Sequence, residues 1–218
     1  AKSTFSPSFF SKDGQHLFGQ SDYKRDRAGC AKVSVGRLNR VRYIIKKKDA
    51  DVSCSYGKWS KKYFVSEKKK GKTTLKIYNK MFSQEIMVPQ LMANQSVVAM
   101  DYDRQTGQLL VKYSAANNPG SLYLFHLKKN KVVQVLDYNR SKISMKDLAT
   151  SWDFEYSSFD GMNIHGILYG KPEWKSGAQK HPLVVWPHGG PDSSEGHRYR
   201  HWFQYLVLNG FVVFAPNY

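Results

Sequence analysis

The sequence predicts two kinds of structure in series: short antiparallel strands grouped in repeated units, then the opening of a strand–helix–strand unit. Three observations predict this. Apolar and polar residues alternate in short runs, broken by turn dipeptides, up to about residue 140. Tight hairpins recur at Asp13-Gly14, Gly57-Lys58 and Thr106-Gly107, intervals of 44 and 49 residues, near the period of about 40–45 that four-stranded propeller blades produce. Near residue 150 both the pattern and the charge change. An immunoglobulin-like sandwich would give similar strands without that spacing.

Taken in order, Phe5 to Gly19 reads as a strand, a tight turn at Asp13-Gly14 and a second strand, because glycine accepts positive φ without steric cost. Residues 62–66 and 74–78 alternate at period two, with Lys68 to Lys72 as their connecting turn. Residues 108–113, 121–127 and 132–136 form a third set, with turns at Asn117 to Gly120 and Lys128 to Asn130. From Ser151 the pattern changes: Trp152 to Tyr169 is a strand, an Asp160-Gly161 turn and a strand. Leu183 to Trp186 is a short, wholly apolar run, as a strand buried on both faces requires. Tyr199, Trp202, Phe203, Leu206 and Val207 share one helical face, and Gly210 stands where a helix C-terminus favours positive φ. Phe211 to Ala215 is a further apolar strand, completing a βαβ unit. Two parallel strands with bare edges make an incomplete core, so the domain is expected to continue past Tyr218.

The chain has 218 residues, 34 Lys+Arg against 17 Asp+Glu, and a formal charge of +17. An apolar fraction of 41% can build a core and excludes wholesale disorder. No run approaches the roughly 20 apolar residues of a membrane-spanning helix. Cys30 and Cys54 permit at most one disulfide and are expected to be free thiols, which excludes a disulfide-stapled scaffold. Residues 1–150 hold 29 basic and 11 acidic side chains, whereas residues 151–218 hold five and six. The split places a domain boundary near residue 150. The clusters Lys46–Lys48, Lys68–Lys70 and Lys128/Lys129/Lys131 fall at turns or strand ends. They read either as a polyanion site or as solvated hairpin tips that keep strand edges apart. The neighbouring aromatics alternate into strand cores instead of interleaving with the lysines, which favours the second reading over nucleic-acid binding.

The segments His181-Pro-Leu-Val-Val, His188-Gly-Gly-Pro191 and Gly210 to Tyr218 together resemble the prolyl oligopeptidase family of serine peptidases, in particular its acylaminoacyl-peptidase and dipeptidyl-peptidase-like branch. Phe159 to Gly166 resembles the hairpin that opens the family's hydrolase domain, and Ser6 to Gly14 resembles a blade-opening motif of its propeller. The resemblance implies the C-terminal blades of a β-propeller over residues 1–150, about three of them. Residues 151–218 would then be the truncated N-terminal part of an α/β-hydrolase peptidase domain. It also implies that the backbone N–H of Gly190 is one donor of an oxyanion hole, in a loop with His188 and Gly189. Such a loop stabilises the charge that acyl transfer builds on the carbonyl oxygen. In some relatives a tyrosine hydroxyl occupies the place of His188. A simple strand-ending turn is the alternative for these glycines.

The family's Gly-x-Ser-x-Gly elbow is absent; Lys32-Val-Ser-Val-Gly36 lacks the first glycine. In this fold serine, acid and histidine follow the His-Gly-Gly-Pro loop, so nucleophile, acid and base are all expected beyond Tyr218. His197 and His201 stand four apart on the expected helix, but Arg198 takes the place of the glutamate in a His-Glu-x-x-His zinc helix, so no metal is expected. The resemblance implies short peptides as substrates and no cofactor. The alternative, motivated by the charge of residues 1–150, is a non-catalytic basic binding module or an inactive relative.

Overall fold

A computed structural model describes residues 4–86, 88, 96–129, 131–140, 142–190 and 193–218. Strands β1 (Phe5–Phe10), β2 (His16–Ser21), β3 (Gly29–Ser34) and β4 (Arg37–Ile45) form one antiparallel sheet in sequential order. A second sheet holds β5 (Asp51–Gly57), β6 (Lys62–Lys69), β7 (Lys72–Tyr78) and the short β8 (Glu85–Ile86). It continues through β9 (Ser96–Asp103), β10 (Gln108–Ala115), β11 (Asn118–His126) and β12 (Lys131–Asp137). Its two halves are antiparallel meanders that touch through one parallel register contact, Thr73 opposite Ser96. The hairpins at Asp13-Gly14, Gly57-Lys58 and Thr106-Gly107 therefore occupy the same place in three successive sets of strands, joining β1 to β2, β5 to β6 and β9 to β10. Among the described residues no sheet closes on itself.

The third sheet, in the order β13-β14-β16-β15, is built from β13 (Thr150–Ser157), β14 (Asn163–Gly170), β15 (Leu183–Val185) and β16 (Val212–Asn217). β13 and β14 form a hairpin through the Asp160-Gly161 turn, and β14 runs antiparallel to β16. β15 and β16 are parallel, and the connection between them contains helix α1 (His201–Leu208). Gly210, at φ 90°, ends that helix. The N–H of Phe211 donates to the carbonyl of Leu206 and that of Gly210 to Val207, the paired bonds that satisfy a helix C-terminus.

Several expectations need correction. Cys30 of β3 and Cys54 of β5 are joined in a disulfide, with Cα atoms 5.5 Å apart. Both cysteines lie in one small core with Val52 and Val65, where the first sheet packs against β5. Leu183 and Val185 are exposed, so β15 is an edge strand and not one buried on both faces. The helix begins only at His201, leaving His197 and Tyr199 in the irregular segment before it. Its inward face is Phe203, Gln204 and Val207, with Trp202 turned outward. Asn118 to Gly120 belong to β11, because Ala115 pairs with Asn118 across a two-residue turn. The expected turn residue Asn130 lies outside the described residues.

Candidate functional site

The loop that follows β15 is held at both ends. The N–H of Trp186 donates to the carbonyl of Phe214, 2.7 Å away. His188 is buried, and its ring lies flat on that of Tyr218, with centroids 4.5 Å apart and planes 3° from parallel. The Tyr218 hydroxyl donates to the His188 carbonyl at 2.6 Å. This clamp joins the end of the chain after β16 to the loop after β15, so the two parallel strands present their C-terminal ends together. Past the clamp, Gly189 and Gly190 are exposed. Gly190 has φ 64°, a conformation that side chains rarely adopt. A Cβ built on either glycine meets nothing within 4 Å. The space beside them is open to a ligand, and the backbone conformation of Gly190 accounts for one glycine of the pair. The imidazole Nε2 of His188 is buried without a hydrogen-bond partner among the described residues. Pro191, the last residue of the expected motif, lies outside the described residues.

A second cluster went unnoticed in the sequence. Asp153 of β13 takes hydrogen bonds from His165 Nε2 (2.9 Å) and His197 Nε2 (3.1 Å) on one carboxylate oxygen. Lys72 Nζ reaches the other oxygen at 2.9 Å. Burial pushes this carboxyl upward, but the three donors outweigh it and hold it well below the usual carboxylate range. Burial pushes the fully buried His197 down, against the pull of Asp153, so it is neutral at pH 7. With its proton on Nε2 facing Asp153, Nδ1 accepts from the Ser151 hydroxyl at 2.8 Å. Ser151, His197 and Asp153 thus share the residue types of a catalytic triad without its exposure. The serine is buried, and the acid is bound by two imidazoles and an ammonium. The cluster ties β13, β14 and the segment before α1 to the first residue of β7. His197 and His201 do not share a helical face, since His201 is exposed at the helix start.

The same junction is closed by backbone. A Cβ on Gly71 would stand 2.7 Å from the Cα of Gly196, and one on Gly196 would stand 2.6 Å from the Gly71 carbonyl oxygen. His197 N–H donates to that carbonyl at 3.2 Å. Beside it, buried Glu195 pairs with Arg198 (2.8 Å) and Arg200 (2.7 Å). Next to these contacts lies a cavity of about 840 Å³, whose lining includes Lys48, Lys68, Lys70, His165, Ser194 and Tyr218.

No family model matches the sequence. The uncharacterized peptidase YuxL of Bacillus subtilis (strain 168) is 29% identical over 101 residues, which is 46% of this chain and 15% of YuxL. Prolyl oligopeptidase B from Galerina marginata has a TM-score of 0.75 at 13% identity, over 99% of this chain and 30% of its own. Pyrococcus horikoshii acylaminoacyl peptidase has a TM-score of 0.65 at 19% identity, over 98% of this chain and 32% of its own. A structure from work on two prolyl endopeptidases has a TM-score of 0.77 at 12% identity, over 100% of this chain and 31% of its own. The chain therefore spans about a third of each of these solved structures, and its strand sets match their propeller region. The likeness of this chain is to the peptidases of the prolyl oligopeptidase family.

Proposed function

We propose that the full-length protein carrying this chain is a serine peptidase that hydrolyses short peptides through an acyl-enzyme. In this reading residues 1–150 are the last blades of a propeller, and residues 151–218 open the α/β-hydrolase domain. The nucleophile, acid and base lie outside the chain, and the loop of His188, Gly189 and Gly190 contributes one side of the oxyanion hole. The observation that carries the reading is Gly190 at φ 64°, exposed at the C-terminal end of a parallel strand, in a loop clamped by Tyr218. Ligands of open α/β sheets bind outside the carboxyl ends of the strands, where such a loop stands. A backbone N–H fixed there needs no reorganisation as the carbonyl oxygen becomes negative.

In the full-length protein, a fluorophosphonate probe is expected to label one serine. Gly190→Ala strains the loop at positive φ and is expected to lower kcat by about a hundredfold, with KM little changed. Absence of labelling and of peptide turnover in the intact protein would reject the reading.

A further inference from the structure

The sequence scatters its lysines over separate turns, and the fold gathers two of the three clusters. The loop between β2 and β3, the loop between β4 and β5, and the hairpin between β6 and β7 converge on the cavity described above. A shallower depression of about 420 Å³, lined by Lys24, Arg25, Lys46 and Lys47, shares Arg27 and Lys48 with it. The carboxylates present do not neutralise this surface. Lys69 is taken by Asp49, Lys70 by Glu155 at 2.5 Å, and Arg27 by Asp51 at 3.5 Å. Lys48 has no ion-pair partner among the described residues, and Lys68 Nζ reaches only the neutral Ser194 hydroxyl at 2.6 Å. Both side chains are exposed. The lining also includes Tyr218, whose ring lies on His188, so the cavity that holds the free cations reaches the residue that clamps the Gly190 loop.

We infer that this cavity is a subsite for carboxylates, and that the protein's substrates are acidic peptides whose Asp, Glu or C-terminal carboxylate is held by Lys48 and Lys68. The inference rests on the peptidase reading for the word substrate, and on geometry and charge alone for the anion site. A peptide fits better than a nucleic acid. Bases need free aromatic faces, yet Tyr218 is stacked on His188, and Tyr23 and Tyr43 lie beneath Lys24 and Arg25. The exposed polar residues Asn163 and Ser193 line the same cavity and suit a peptide backbone, whereas the Asn217 amide is held by the backbone of Glu195.

The test uses the full-length protein and three matched fluorogenic peptides bearing three Glu, three Gln or three Lys on the same side of the cleaved bond. One exposed ion pair is worth up to roughly fivefold, so two should give the Glu peptide about a tenfold higher kcat/KM than the Gln peptide at low salt. The preference should collapse in molar salt and disappear in the Lys48→Glu/Lys68→Glu double variant. Anisotropy of a labelled hexaglutamate peptide reads the same site without turnover, and its binding should weaken to match in the double variant. Equal cleavage of Glu and Gln peptides overturns the inference and leaves the peptidase reading intact. Lysine-dependent hexaglutamate binding in a protein that cleaves nothing supports the anion site and rejects the peptidase reading. Binding of duplex DNA through these lysines, with no hexaglutamate binding, overturns it in favour of a nucleic-acid surface.

Discussion

Asp153 receives two imidazoles and an ammonium from three separate parts of the chain. That makes the junction between the strand sets and the third sheet sensitive to protons. His197 binds its proton less readily in the folded state than at its ordinary value of 6.5, because burial disfavours the cation. Below that value the unfolded chain holds more protons than the folded one, so stability falls as pH drops. Asp153, depressed below its ordinary 3.8, adds stability that is complete above that value and is lost as pH falls through the lower folded value. The melting temperature is expected to decline from pH 7.5 to pH 5, and His197→Gln to flatten that slope; calorimetry across the range checks both. Nothing in the sequence marks this cluster. His197 stands 44 residues from Asp153, and local spacing offered it only as half of a metal pair. The turn at Gly189-Gly190 was legible because its glycines stand in consecutive positions directly after an apolar run.

At the scale of elements, helix α1 is fixed as much by one amide as by its apolar face. Buried Gln204 accepts from the N–H of Ala149 at 2.7 Å, and its Nε2 donates to the carbonyls of Ala116 (2.7 Å) and Ala149 (3.3 Å). It thereby pins the helix to the β10–β11 turn and to the segment entering β13. Gln204→Leu keeps the volume and strands those backbone groups, a cost of about 2–3 kcal/mol, to be read from denaturant midpoints. Phe203 and Val207 supply the apolar side of the same contact. Strand identities and hairpin positions followed from alternation and turn chemistry, which are local. The errors fell where tertiary packing decides: the start of α1, delayed past the Glu195–Arg198–Arg200 ion pairs, and the exposure of β15. A wholly apolar tripeptide cannot announce whether a neighbour covers it.

For the whole molecule, the outer face carries much uncovered apolar surface. Leu183 and Val185 on the edge strand β15 are exposed, as are Trp202, Tyr205 and Leu208 on α1. An exposed, apolar edge strand is a template for pairing. Residues 1–218 expressed alone are therefore expected to self-associate and to bind a hydrophobic dye, and light scattering after size exclusion checks this. A monodisperse monomer with a sharp melting transition would contradict it. The charge step at residue 150 was legible as composition, but not what it builds, because two lysine clusters become one surface only when three loops meet.

The bond between Cys30 and Cys54 closes a covalent ring through 24 positions of sequence, and that ring contains the exposed turn Lys46–Lys48. Reducing it releases loop-closure entropy to the unfolded chain, about 3.5 kcal/mol in a chain-entropy estimate. It also gives the molecule a tolerance to cutting. Trypsin that nicks the chain at Lys46–Lys48 should leave two pieces that travel as one band until a reductant is added. A protein severed at this lysine turn would still hold its first two sheets in a single molecule.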